Sequence, residues 1–207
     1  MKINSAESLM LHTVNFSIIL IVLCFLSSCS SVQKRASDRF FGVQATIAER
    51  SYGRDVSIEV LPFKVRGVEA SRLLVIQISK TPVELTELKG NFWNKIPSLL
   101  LQQATVEAFS SSSKDAMFGV DETLENIDYR LKVMVHRFAF LKDGNANFVF
   151  HATLRDTQGL LVLTKKYNVS SNSLILEIDG ANISEAFSEA ISKGLNGLSE
   201  DIANAIN

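Results

Sequence analysis

The chain has 207 residues, a formal net charge of −1, 46% hydrophobic residues and 21% charged ones, which bounds it to one domain, or one domain with an attachment segment. That balance lacks the basic excess that phosphate-backbone binding needs, so nucleic acid is not an expected partner, and thirteen Phe exclude a wholly disordered chain. Three His, two Cys and one Trp are thin material for metal or nucleophilic catalysis, and no cofactor is expected.

Hydrophobicity concentrates at the start. Phe16 to Leu26 reads FSIILIVLCFL, eleven apolar or nearly apolar residues, after a short segment carrying Lys2. A bilayer-spanning helix needs about 20 such residues, so this run has the length of a signal-peptide core. The adjoining Leu26-Ser27-Ser28-Cys29 resembles the lipobox of bacterial lipoproteins: an aliphatic residue, two small residues that let the chain enter a peptidase cleft, and a thiol for the thioether to diacylglycerol. The alternatives are an ordinary signal peptide with a chance Cys, or an apolar N-terminal helix of a cytosolic protein.

Cleavage before Cys29 removes residues 1–28, Cys24 with them, and leaves no second cysteine for a disulfide. The expected mature form is lipidated at Cys29 and anchored to a membrane without spanning it. Ser30, where Asp would direct retention, resembles the outer-membrane-sorted class of diderm bacteria. Residues 29–39 read as a polar tether, its Lys34, Arg35 and Arg39 either solvated or resting on anionic headgroups.

Residues 40–207 read as one α+β domain. Strands are expected at Phe40–Ala45, at Asp55–Val65 with Pro62 marking an edge or bulge, at Leu73–Ser79, and in shorter form at Val83–Leu88. A helix follows from Asn94, its expected cap, to Phe109, with Pro97 in the first turn and Ile96, Leu99, Leu100, Gln103, Ala104 and Val106 at helical spacing. Met117–Val120 is a short strand candidate. Leu131, Val133 and Val135 alternate in one phase and Phe138 and Phe140 in the other, which predicts a β-bulge at His136-Arg137. Turns at Asp143-Gly144 and Thr157-Gln158-Gly159 then make a three-stranded antiparallel meander. A last helix, about Asn182 to Ile206, carries Ile183, Phe187, Ala190, Ile191, Gly194, Leu195, Leu198, Ile202 and Ile206 on one stripe. Asn182 or Ser184 is its expected cap, and Gly194 and Gly197 are read as close approach to the sheet or a bend. The sum is a two-layer sandwich: a mainly antiparallel sheet with two amphipathic helices.

Chemistry-bearing residues are sparse. His136 and His151 lie across one hairpin, but two ligands do not make a structural zinc site. Asp121, Glu122 and Glu125 read as a solvated acidic loop, and neither a nucleophile elbow nor a phosphate-binding glycine loop is present. An anchored hydrolase would need a nucleophile–base pair that the sequence does not display. Phe92 and Trp93, beside the first helix, are the candidates for an exposed aromatic contact; the competing reading is a hydrophobic staple or ordinary core packing.

Taken in order, Val60–Val65 (VLPFKV), Arg72–Ile76 (RLLVI), Asn91-Phe92-Trp93 with Pro97, Asp128-Tyr129-Arg130-Leu131, and Gly197–Ile202 (GLSEDI) resemble the ABC-type transport auxiliary lipoprotein family across almost the whole mature chain. The resemblance implies a noncatalytic, lipid-anchored periplasmic domain, at the outer membrane's periplasmic leaflet or at the inner membrane. It also implies partners: an MCE-domain protein and ABC transporter subunits of an intermembrane lipid transport system. Separately, a mixed sheet with helices can expose an edge strand or helix face for homo-oligomerisation or docking. One departure is Gly67-Val68-Glu69-Ala70, where one branch of the family carries a proline–aromatic pair. The alternative function is a lipopolysaccharide-assembly-type or hydrophobic-ligand-binding lipoprotein.

Overall fold

One long strand organises the sheet. In the computed structural model, which describes residues 37–207 except 82 and 173–176, β6 (Tyr129–Leu141) carries different neighbours at its two ends. The predicted signal peptide and the Cys29 motif lie outside the described residues, as does the predicted tether before residue 37. In chain order β6 is preceded by β1 (Arg39–Phe41), β2 (Val56–Val60), β3 (Leu73–Lys80), β4 (Val83–Trp93), helix α1 (Pro97–Ser112) and β5 (Ala116–Gly119). It is followed by β7 (Ala146–Asp156), β8 (Leu161–Ser170) and helix α2 (Gly180–Ile206).

Along one edge β6 pairs antiparallel with β7, which pairs with β8, as the meander predicts. Gly144 (φ 93°) and Gly159 (φ 84°) sit in the two turns at left-handed angles that a side chain would strain. The ladder slips by one residue between Val135 and Arg137, so the predicted bulge is real and Phe138 and Phe140 return to the core face. The other edge of β6 is shared. Parallel β2 takes Tyr129 to Leu131, parallel β3 takes Phe140 and Leu141, and the sheet runs β1-β4-β3-β6-β2-β5. Its long ladders are antiparallel and its four parallel ladders are short.

The gap between β2 and β3 is filled in two ways. Past Val60↔Leu131 the pairing resumes at Lys64↔Met134, one residue longer on the β2 side, so Pro62 sits in a bulge as its ring requires. Then the 3₁₀ turn Gly67–Ala70 places the Glu69 carboxylate where it accepts the N–H of Phe138 at 3.1 Å. The segment at which the chain departs from its resemblance therefore closes the sheet.

Both helices lie on one face. Beneath α2 are Val133, Val135, Phe138, Phe148, Phe150 and Leu154, all buried, and every residue of its predicted stripe is buried too. Beneath α1, Phe109 meets Phe118 edge-on at 4.8 Å. The opposite sheet face, with Lys132 and Lys166, is exposed.

Four boundaries differ from the sequence reading. Arg39, counted in the tether, begins β1, where it pairs with Asn91 and bridges Asp179 at 3.3 Å; the strand ends at Phe41. β4 continues past Leu88 to Trp93, whose N–H donates to the Arg72 carbonyl at 2.6 Å. Because the chain stays extended there, α1 begins at Pro97 and Asn94 does not cap it; the Asn94 N–H instead donates to the Phe41 carbonyl at 2.7 Å. Likewise α2 is capped by Asp179, which accepts the Ala181 N–H at 2.6 Å, leaving Asn182 bound to the Glu177 carbonyl and Ser184 to that of Gly42.

After β1 the chain keeps an extended form without joining the sheet. The N–H groups of Gln44, Thr46 and Ala48 donate to Ser188 Oγ (3.1 Å), Ser192 Oγ (3.0 Å) and Asn196 Oδ1 (3.1 Å) of α2. Two strand residues rise about 6.6–6.8 Å and four helix residues about 6.0 Å, so the two repeats stay in step for three contacts. The intervening Val43, Ala45 and Ile47 pack on the core.

Candidate functional site

Trp93 is not a surface contact. It is 1% exposed and wedged between Phe138 and Phe187, with 5.4 Å between ring centroids on each side, so it ties β4 to β6 and α2. The packing alternative for this residue holds, and the exposed-contact expectation is corrected. Neighbouring Phe92 points to the other side of β4 and stacks on Phe40 at 5.5 Å, interplanar angle 25°. Phe40 is 58% exposed.

Arg72 joins this aromatic pair to a groove. Its guanidinium lies 5.7 Å from the Phe40 ring centre while Nη2 donates to the carbonyls of Trp93 (3.3 Å) and Asn94 (3.1 Å). Those bonds pin a cation beside an apolar surface at the junction of β3, β4 and α1. Beyond it runs an open groove of about 690 Å³ along α1, with Ile96, Leu99, Val106 and Val120 in its walls. Lys95 donates to Gln103 Oε1, and Gln103 Nε2 donates to Glu107 Oε1 at 2.6 Å, forming a polar rim.

The groove's walls expose a second error of the sequence reading. Ile96, Leu99 and Gln103, expected among the core-facing set, are exposed, Ile96 by 45% and Leu99 by 43%. The face that packs inward carries Leu100, Leu101, Ala104, Thr105, Ala108 and Phe109. Four of these, Leu101, Thr105, Ala108 and Phe109, are absent from the predicted spacing. The available signal was an excess: α1 has more apolar positions than one buried stripe can use, so some must face outward.

The remaining candidates do not assemble into a reactive centre. His136 is the exposed bulge residue, and His151 pairs with Met134 across the strands while its Nε2 sits 2.9 Å from Thr164 Oγ1. Glu122 and Glu125 are exposed in the connection after β5. Among the described residues no group of three or more His, Cys, Asp or Glu side chains is gathered as a metal site would require, and no helix is long and apolar enough to cross a membrane.

The most perturbed groups are structural. Tyr167 is driven well above the ordinary tyrosine range by burial first, then by donating to Asp201 Oδ2 at 2.6 Å beside that residue's charge. Partial burial pushes Asp201 up, but Lys165 at 2.7 Å and the Tyr167 hydroxyl together hold it below the usual carboxylate value. These groups lock α2 to β8.

Two solved structures share this architecture. An uncharacterized protein superposes with a TM-score of 0.64 at 16% identity, over 83% of this chain and 100% of its own. Protein XCC0632 from Xanthomonas campestris, of the DUF330 family, gives 0.61 at 21% identity, over 80% of this chain and 96% of its own. No curated protein matches the sequence. The family model for the ABC-type transport auxiliary lipoprotein component matches residues 42–203, from the strap that follows β1 to the last turn of α2, and the chain belongs to that family.

Proposed function

We propose that this protein is a noncatalytic assembly component of an ABC/MCE-type intermembrane lipid transport system. A lipid at Cys29 anchors it to the periplasmic leaflet of the outer membrane, and the tether holds the domain within reach of its partners. The groove along α1, continued by Arg72 and the Phe40–Phe92 pair, is the docking surface for an MCE-domain protein or an ABC subunit. The observation that carries this reading is the exposure of Ile96, Leu99 and Phe40 around one groove and the Arg72 guanidinium, whereas other exposed apolar side chains, such as Val83, Met117 and Leu160, are spread over separate elements. Isolated exposed apolar residues are ordinary; aromatic and aliphatic groups gathered around a fixed Arg have the composition of an interface centre.

The test is affinity capture from detergent-extracted envelopes. Wild type recovers an MCE-domain protein or ABC subunits, and Leu99→Glu with Phe40→Ser loses them while far-UV circular dichroism stays unchanged. Undiminished capture by that folded variant overturns the docking surface, and recovery of neither partner by wild type overturns the assembly role. Cys29→Ala is expected to leave the membrane fraction.

The groove also supports a second reading. Its volume lies within the range of small-molecule sites, and its walls are mostly apolar, as a bound acyl chain needs. Native mass spectrometry of wild type and Leu99→Glu separates the two: a lipid lost on substitution favours the carrier.

A further inference from the structure

The sheet face turned away from the helices is basic. One row runs from the isolated bridge at Lys64, after β2, across three neighbouring strands, Lys64↔Met134↔His151↔Lys166. The next holds Lys132↔Thr153↔Thr164, and the one after pairs Arg130 with Arg155. At the ordinary strand spacing the backbones of Lys64 and Lys166 are about 14 Å apart. Lys64, Lys132, Arg155 and Lys166 are all exposed.

The acidic groups beside these cations are already engaged. Glu59, 9% exposed, takes Arg130 Nε at 2.7 Å, and Glu69, 13% exposed, faces Arg137 Nε at 3.5 Å. The Asp156 carboxylate accepts the N–H groups of Gln158 (2.9 Å) and Leu160 (2.8 Å) in the turn. Among the described residues Lys64, Lys132 and Lys166 make no ion pair, and Arg155 donates to the Gly159 carbonyl at 2.6 Å. Since the chain as a whole carries a formal charge of −1, this excess is segregated, not a reflection of composition.

We infer that this face rests on an anionic phospholipid leaflet. Charge complementarity selects the partner's sign, and shape selects its class. A broad sheet face suits a planar array of phosphates, whereas a peptide strand or helix would need an edge or groove. A concavity of about 260 Å³ among Arg130, Lys132, Thr153 and Arg155, with Asp156 at its margin, would take one phosphate headgroup between the Thr153 hydroxyl and the cations of Lys132 and Arg155, Arg130 being already paired with Glu59. The surface lies opposite the helix-bearing face and does not use the α1 groove, so it stands apart from the docking reading.

The experiment uses the full chain reconstituted into vesicles, with amine-reactive labelling read lysine by lysine by mass spectrometry. In vesicles containing phosphatidylglycerol, Lys64, Lys132 and Lys166 label at least about fivefold more slowly than in pure phosphatidylcholine, while exposed Lys89 and Lys114 keep their rates. High salt removes the protection, as screening requires. Charge reversal by Lys132→Glu with Arg155→Glu, both at exposed positions, abolishes it at Lys64 and Lys166. Equal labelling in the two vesicle types overturns the inference. Protection by RNA or an acidic polypeptide, without protection by phosphatidylglycerol, overturns the assignment to lipid.

Discussion

Burial works against the charged form of Glu69. Desolvation raises its pKa above the ordinary glutamate value, and the opposing pull of the Phe138 N–H and Arg137 does not cancel it. A folded pKa above the unfolded one means that the stabilising contribution is complete below the unfolded value and is lost as pH rises through the folded value. At neutral pH its ionisation therefore costs stability, while its oxygen still satisfies a buried donor. Glu69→Gln, which keeps the acceptor and drops the charge, is expected to unfold at a denaturant concentration equal to or above wild type at pH 7. Glu69→Ala strands the Phe138 N–H and costs about 1–3 kcal/mol. Equal losses in the two variants would refute this division of roles. Trp93 and Phe92 separate by the same logic of burial: Trp93→Ala empties the junction of three elements and costs about 3–5 kcal/mol, whereas Phe92→Ala removes only a half-buried stacking partner and leaves the fold in place. Urea titration of both variants measures that difference.

Helix α2 is fitted to its surroundings on two sides. Towards the sheet, a Cβ at Gly194 would come within 2.9 Å of the Phe150 ring, which is stacked between Phe148 and Tyr167 and has nowhere to turn; at Gly197 the nearest contact is 3.7 Å. Gly197→Ala should therefore gain up to about 1 kcal/mol of helix propensity, while at Gly194→Ala the same gain is outweighed by overpacking of about 1–3 kcal/mol. Opposite signs in thermal melts are the expected result. On its other side the Ser188, Ser192 and Asn196 ladder holds residues 44–48. Ser188→Ala with Ser192→Ala barely changes global stability, because each lost hydrogen bond is exposed and each Ala favours the helix. Amide exchange at Gln44 and Thr46 accelerates all the same. The stripe that faces the sheet was legible in the sequence because apolar residues recur at helical spacing, and the β6 bulge because the alternation changes phase. The strap was not: its partner residues lie more than 140 positions away, and Ser and Asn on a helix read as solvent-facing until something is seen to approach them. The outward side of α1 was misread for a related reason, since the helix is apolar on more than one side and spacing alone does not say which side the sheet takes.

Four aspartates fasten distant parts of the molecule. Asp115 accepts from Ser51 Oγ and the N–H groups of Tyr52 and Gly53, and so ties the chain before β2 to the start of β5. Asp143 holds Lys80 at 2.8 Å, Asp179 joins α2 to β1 through Arg39, and Asp201 joins α2 to β8. Each is held below the usual carboxylate value: Asp115 chiefly by Ser51, Asp143 by Lys80, Asp179 by the Ala181 N–H, and Asp201 by Lys165 and Tyr167 against the opposing effect of burial. A depressed folded pKa contributes stability that is present above the unfolded value, about 3.9 for Asp, and is lost as pH falls through the folded one. Glu69 works in the opposite direction, so the acid limb reflects four losses set against one gain. Denaturant midpoints should consequently fall between about pH 5 and about pH 2. Asp201→Asn tests the origin of that slope, because Asn still accepts one hydrogen bond but no longer answers the Lys165 charge. It is expected to be less stable than wild type near neutrality, with the two curves converging as the acid becomes strong enough to protonate Asp201 in the folded protein. A gap that stays constant down to about pH 2 would mean that packing around Tyr167, and not the carboxylate's charge, holds α2 against β8.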